Sequence, residues 1–526
     1  MNKLSRQQKQ NLLFGLLIDP VLYIIISFFF LIVGVSMINR ISLYNALFRI
    51  IFGYAFVLAL RLVLLVYNQN WIKFSLYGLV RISIAELIPC FVQYAVQYLI
   101  PVNHVSFITL LTISLLDLFM VIASRFIYYA IHHGKKGNSK LLLSSPTTYE
   151  EELQYVQEAF DKNWVAPLGF NCDGFEEEMV EYLDEDVNAF ATMSGTGAIH
   201  LAVKLANVKP GDPVLCSDLT FAATVNPVVY EGAKPVFIDS EYDTWNMDPR
   251  ALEKAFEKYP NAKVVVLVHL YGTPAKMDEI IDICKKHNAV LIEDAAEALG
   301  ATYKGQHCGT FGKYNVLSFN GNKIITTSGG GMLLTQDKKD RDKAMFWATQ
   351  SRENAPWYEH EEVGYNYRMS NVIAGIGRGQ LKHLESHKRN KEVIYSRYKE
   401  GLKDLPVDMN PYLKETNPNF WLSCLTIKPK FLTECNRTET TFEYKHVDGK
   451  CCPDELATIL KENNIETRPI WKPMHMQPIF KDNDFISVSD KPVSEDIFAR
   501  GICLPSDIKM DVEQQERVIS IIKTCF

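Results

Sequence analysis

The chain has 526 residues, 11 cysteines, a formal net charge of -6 and 22% charged residues. That length exceeds one ordinary core, and the absence of long basic or acidic blocks gives no support to nucleic-acid binding. The cysteines are scattered with no C-x-x-C pair. Adjacent Cys451 and Cys452 read as reduced thiols, with a redox or metal site as the alternative.

Residues 1–133 are strongly apolar. They hold four stretches, at roughly 12–38, 45–67, 82–101 and 105–131, each near the ~20 residues that a bilayer span needs. The expectation is an all-α, four-helix transmembrane region. Asp19 is the one charge in the first stretch; Arg49 and Arg61 lie in the second and Glu86 in the third. Such charges face a bundle interior and pair there, or snorkel near the ends; a helical domain outside the bilayer is the alternative. Lys3, Arg6 and Lys9 precede the first stretch, and Lys135, Lys136 and Lys140 follow the fourth. By the positive-inside rule both ends face the cytoplasm, giving a multi-pass protein of the cell (inner) membrane with a cytoplasmic C-terminal part.

Residues 134–147, beginning Gly134-Lys135-Lys136-Gly137, read as a linker. A helix is expected from Thr148, because Thr148 and Glu151 have capping-box spacing. Beyond it, short apolar runs alternate with helical patterns. The strand candidates are Val214–Cys216, Pro235–Asp239, Lys263–Leu270 and Ala289–Asp294, with a helix over Met277–His287. Nearly continuous apolar strands between helices predict βαβ units and a parallel sheet buried on both faces. A large α/β domain is expected over 148–404 and a smaller α/β lobe over 405–526.

Chemistry concentrates in this half. Ser194-Gly195-Thr196-Gly197-Ala198 opens a helical pattern, and small residues there leave free N–H groups at a positive helix end. The segment is either a phosphate site or a turn that needs glycine. Asp294 ends a buried strand and either caps the next helix or serves as a buried acid. Lys323 lies twenty-nine residues further on, in Ser318-Phe319-Asn320-Gly321-Asn322-Lys323 ahead of Gly329-Gly330-Gly331. A lysine able to form a Schiff base, with a buried aspartate to keep a pyridine nitrogen protonated, is what pyridoxal 5'-phosphate chemistry requires. Phe221 could stack on such a ring or pack in the core. Gly364–Ser370 could cap a helix or reach a phosphate.

From Leu142 to the C-terminus the chain resembles the nucleotide-sugar aminotransferases of the DegT/StrS family. The resemblance is carried by MSGTGAIHLA, SDLTFAATVNPVVYEGAKPVFID, IEDAAEALGA, SFNGNKIITTSGGGM, GYNYRMSN and ETRPIWKPMHMQP, in that order. It implies the pyridoxal-phosphate-dependent transferase fold type I (aspartate-aminotransferase-like). SFNGNKIITTSGGGM with EDAAEALG is most similar to the branch that makes UDP-linked 4-amino-2-acetamido-4,6-dideoxy sugars of the bacillosamine type. By resemblance Lys323 carries the cofactor, Asp294 pairs with its ring nitrogen, and Glu297 sits near its ring hydroxyl. Thr196, Gly197 and Ser318 hold the phosphate, and Phe221 covers the ring. Asn366 reaches the phosphate from a neighbouring subunit, implying a homodimer. Asn320, Arg468 and His475 fall on the substrate side, with a structural role for Arg468 and His475 as the alternative.

The implied reaction moves an amino group from L-glutamate to C4 of a UDP-4-keto-6-deoxy sugar. Two alternatives stand beside it. A sugar dehydratase of the same family is disfavoured because those relatives replace the lysine with histidine. A non-catalytic membrane sensor for nucleotide sugars is disfavoured by Lys323, Asp294 and Ser318. Ser75–Arg81 faintly resembles the membrane part of nucleotide-sugar 4,6-dehydratases, and a membrane-bound sugar dehydratase or glycosyltransferase is an expected partner.

Overall fold

The computed structural model describes residues 19, 21–26, 51, 54–61, 76–96, 98–99, 107–133 and 140–526 apart from 439. The chain divides into two compact units, Met1–Ser139 and Lys140–Phe526.

In the first unit helices α1 (Leu76–Val96) and α2 (Phe107–His133) bring Ile82, Ala85 and Val121 into one small buried cluster. Arg61 lies between two carboxylates, 3.0 Å from Asp19 and 3.0 Å from Asp117, all three buried. Mutual pairing is what makes such burial tolerable. Among the described residues no helix is long and apolar enough to cross a membrane, which corrects the expected four-helix transmembrane region. The expected stretches at 12–38 and 45–67 fall mostly outside the described residues.

The second unit is built on an eight-stranded sheet. Its strands are β1 (Asn188–Thr192), β2 (Pro213–Ser217), β3 (Lys234–Ile238), β4 (Val264–Val268), β5 (Val290–Asp294), β6 (Tyr314–Ser318), β7 (Gly331–Thr335) and β8 (Phe485–Ile486). The spatial order is β1-β7-β6-β5-β4-β2-β3-β8. Pairing is parallel from β6 through β8, as continuous apolar runs such as Val264-Val265-Val266-Leu267-Val268 predict. The exception is β7, which pairs antiparallel with both β6 and β1. Ser318 is registered with Gly331, so residues 319–330, including Lys323, form the loop of a hairpin. The sequence reading had no strand there.

Helices cover both faces, among them α3 (Glu150–Asp161) and α4 (Gly195–Leu205). The first begins later than expected: the Tyr149 N–H donates to Glu152 at 2.7 Å, so the box closes on residue 152 and not 151. Helices α5 (Asn371–Leu381) and α6 (Leu384–Gly401) lead into a smaller four-stranded antiparallel sheet formed by 407–409, 424–427, 501–503 and 468–469. The C-terminal lobe also returns β8 to the edge of the main sheet, beside β3.

Residues 140–145 were expected to be linker, and instead they are tied down. The Leu141 N–H donates to Asn464 O at 2.9 Å, Leu143 N–H to Glu466 Oε2 at 3.2 Å, and Ser145 N–H to Asp507 Oδ2 at 3.0 Å.

Candidate active site

A cavity of about 270 Å³ opens at the carboxyl ends of β4, β5 and β6. That edge is where open α/β sheets bind ligands. Lys323 is the one lysine in its lining. Its ammonium lies 3.8 Å from Glu297 Oε1 and 4.2 Å from the centre of the Trp421 ring. The first contact orients the amine by charge and the second by the negative face of the indole.

Asp294 ends β5, in register with Val268 on one side and Val316 on the other. It is buried, and accepts from Thr224 Oγ1 at 2.7 Å and from the Ala296 N–H at 3.1 Å. Burial pushes its carboxyl above the ordinary range, opposed by Thr224, the Ala296 N–H and Lys323. Glu297 is likewise raised by burial, against the pull of Lys323, and accepts from the Tyr271 N–H at 2.7 Å. Two buried carboxyls facing one amine form a cavity that favours cationic groups in the ligand.

The opposite wall is a helix end. Ser194 caps α4, its Oγ accepting the Gly197 N–H at 3.0 Å. Gly195, Thr196, Ser318, Gly329 and Gly330 line the cavity beside it. A Cβ on Gly195 would lie 3.1 Å from Ser318 Cβ, and one on Gly331 would lie 2.4 Å from Gly195 N. Only glycine lets hairpin and helix approach this closely, and the approach creates a cradle of small groups at a positive helix end.

The residues singled out from sequence sort clearly. Lys323, Asp294, Glu297, Thr196, Ser318, Asn320 and Phe221 line one cavity. Phe221 is 53% exposed at its mouth, with its ring centre 5.2 Å from that of Trp471, so the core-packing alternative fails. Gly197 lies outside the lining, and its N–H is taken by Ser194. Asn366 is exposed, on the segment paired with Thr349, and is not among the lining residues of its own chain. Arg468 pairs with Glu466 at 2.7 Å and lines a neighbouring cavity of about 190 Å³.

His475 does not line the cavity, in keeping with the structural alternative. Its Nδ1 lies 2.8 Å from Asp218 Oδ2 and its Nε2 3.1 Å from Glu495 Oε1. Burial works against its charge, but the two carboxylates raise its pKa overall, which fits a structural link. Sequence reading missed Thr224, Trp421 and Trp471 as lining residues. Thr224 stands three positions after Phe221 in a motif already singled out, and Trp471 stands in ETRPIWKPMHMQP.

These features fit pyridoxal phosphate. The helix cradle suits a phosphate, the amine suits an aldehyde, and the buried, raised Asp294 carboxyl gains a partner if a protonated ring nitrogen stands before it.

Residues 146–523 match the DegT/DnrJ/EryC1/StrS aminotransferase family. EpsN of Bacillus subtilis (strain 168), named as a pyridoxal phosphate-dependent aminotransferase, is 46% identical over 395 residues, 74% of this chain and 96% of EpsN. The GDP-perosamine synthase of Escherichia coli O157:H7 is 34% identical over 370 residues, 70% of this chain and 94% of that protein. The crystal structure of a DegT DnrJ EryC1 StrS aminotransferase from Brucella abortus superposes with a TM-score of 0.63 at 25% identity, covering 71% of this chain and 95% of that one. The chain belongs to the DegT/DnrJ/EryC1/StrS aminotransferase family and is a pyridoxal-phosphate-dependent aminotransferase.

Proposed function

We propose that the enzyme transfers an amino group from L-glutamate to C4 of a UDP-linked 4-keto-6-deoxy-2-acetamido sugar, for glycan or glycoconjugate assembly. The observation that carries an amino-transfer reading is the Lys323 amine, held 3.8 Å from Glu297 in a cavity that also contains buried Asp294. The sugar class is supported by relatives whose names concern sugars, including GDP-perosamine synthases, a dTDP-4-dehydro-2,3,6-trideoxy-D-glucose 4-aminotransferase and a spore coat polysaccharide biosynthesis protein. The UDP-acetamido assignment is supported by the resemblance of SFNGNKIITTSGGGM to the bacillosamine-type branch.

Bound pyridoxal phosphate supplies an aldehyde for amines and a ring that accepts the electron pair left when a proton departs. The chain supplies the rest. Lys323 Nζ takes a proton from the donor's α-carbon and later returns one to C4 of the sugar. Asp294 Oδ holds a proton on the ring nitrogen. The first turn of α4 holds the phosphate dianion. Trp421, Trp471 and Phe221 wall the cavity and limit water. Asn366, exposed on its own chain, serves the cavity of a second copy, so the active unit in this reading is a homodimer.

The test is mass spectrometry of the product after incubation with UDP-4-keto-6-deoxy-2-acetamido sugar, pyridoxal phosphate and L-glutamate. The expected result is replacement of the ketone by an amine with formation of 2-oxoglutarate. Amine formation on a GDP- or dTDP-linked keto sugar alone would overturn the nucleotide and acetamido assignment.

A further inference from the structure

The carbonyls of both sequence neighbours of Lys323 are held, one directly and one through two intermediaries, by one face of one helix. On its C-terminal side, Ile324 O accepts from His387 Nδ1 at 2.7 Å. A carbonyl can only accept, so Nδ1 carries the proton and Nε2 accepts from Tyr149 OH at 2.8 Å. On its N-terminal side, Asn322 O accepts from Trp421 Nε1 at 2.7 Å and from Ser144 Oγ at 3.2 Å. Both of those donors are gripped by Lys391. Its Nζ donates to Ser144 Oγ at 3.2 Å, to Trp421 O at 3.0 Å and to Ser506 O at 2.6 Å.

His387 and Lys391 both lie in α6, four residues apart, and therefore on one helix face. Both are nearly fully buried, at 2% and 3% exposure. Neither lines the cavity. A buried amine set among three hydrogen-bond partners, and a buried imidazole with both nitrogens engaged, are costly to install and stay only where the partners are fixed. Those partners are the backbone on either side of the reactive lysine and the indole over its amine.

We propose that His387 and Lys391 are a paired positioning clamp for Lys323. His387 fixes the carbonyl of Ile324, the residue after the lysine. Lys391, acting through Ser144 and Trp421, fixes the peptide before it and seats the Trp421 ring against its amine. The proposal rests on Lys323 being the residue that binds the cofactor. The clamp also gives residues 140–145 a role: Ser144 closes a hydrogen-bonded ring that runs from Lys391 through Ser144 and Asn322 O to Trp421 and back.

The test compares Lys391→Met, His387→Phe and Ser144→Ala with the wild type. Three readouts are taken: thermal melting, the growth of the lysine-linked cofactor absorbance band after pyridoxal phosphate is added to cofactor-free protein, and kcat and KM for L-glutamate. A displaced lysine reacts slowly but leaves donor binding intact. Lys391→Met and His387→Phe should therefore each lower kcat about 10-fold or more while KM stays within about twofold, and should slow the band in parallel. Ser144→Ala should move both in the same direction by less. Variants that melt near wild type yet keep kcat and the band rate within about twofold would overturn the clamp. Should Lys391→Met or His387→Phe fail to fold, Ser144→Ala decides: a slowed band supports the clamp and an unchanged one overturns it. A wild type that forms no lysine-linked band removes the reading beneath the proposal, and the proposal with it.

Discussion

Thr224 Oγ1 donates a 2.7 Å hydrogen bond to Asp294 Oδ2, and both side chains are buried at the carboxyl end of the sheet. The bond favours the carboxylate form against the burial that opposes it. Asp294→Asn keeps the shape and the Thr224 contact but removes the anion. It should still bind the cofactor, seen by absorbance, while turnover falls about 100-fold or more, because the ring nitrogen loses its proton-holding partner. A rate within a few-fold of wild type would show that Asp294 is not that partner.

Ser194 caps the helix whose first turn faces the cavity. Ser194→Ala should cost about 1 kcal/mol in a denaturant titration. Cofactor affinity, measured by fluorescence titration, should weaken as well, because the capped turn is the phosphate cradle. Lost stability with unchanged affinity would assign the phosphate elsewhere.

Burial pushes the Lys391 amine down to about 7, against the pull of Asp507. The unfolded chain titrates near 10.4, so between about 7 and 10 it binds a proton that the folded chain does not. Stability therefore rises with pH across that window relative to a chain without the amine. Besides Asp507, the titratable groups on this face are His387, Tyr395 and Tyr398; burial lowers the first and raises the other two, so all three stay neutral throughout the window. The stability of wild type minus that of Lys391→Met should rise with pH by up to about 1.4 kcal/mol per unit. Denaturant unfolding at a series of pH values checks this; a flat or falling difference contradicts it.

Leu141 is 6% exposed and is paired with the C-terminal lobe: its N–H donates to Asn464 O at 2.9 Å, and the Glu466 N–H donates to its carbonyl at 2.8 Å. A chain beginning at Lys140 should fold as a stable unit. One beginning at Pro146 should lose about 2 kcal/mol or more, the worth of one buried leucine, together with the Ser144 link to Asn322. Equal melting of the two truncated chains would show that this strap contributes nothing.

Much of the site was legible because its parts are local in sequence. Asp294 ends an apolar run, the cap Ser194 precedes small residues and a helical pattern, and Lys323 sits in a polar, glycine-bounded loop. What escaped depends on distant partners. The antiparallel β7 was invisible because a parallel run and a hairpin return look alike when both are apolar. Trp421 reaches Lys323 from ninety-eight residues away, and Ser144 touches Asn322 across 178 positions. His475 was placed on the substrate side by the resemblance of its motif, with a structural role as the alternative; Asp218 and Glu495, which bind it, lie 257 and 20 residues away. The N-terminal stretches read as spans because hydropathy registers apolar composition and not where the helices begin and end.

The central claim is that Lys323 is the residue through which this enzyme binds and uses its cofactor. The direct measurement is borohydride reduction of the pyridoxal-phosphate-loaded protein, followed by peptide mapping. The account predicts one pyridoxyl group per chain, on Lys323, with no modified peptide and no amino transfer in Lys323→Ala. A pyridoxyl group on another lysine, or normal turnover by Lys323→Ala, would contradict it.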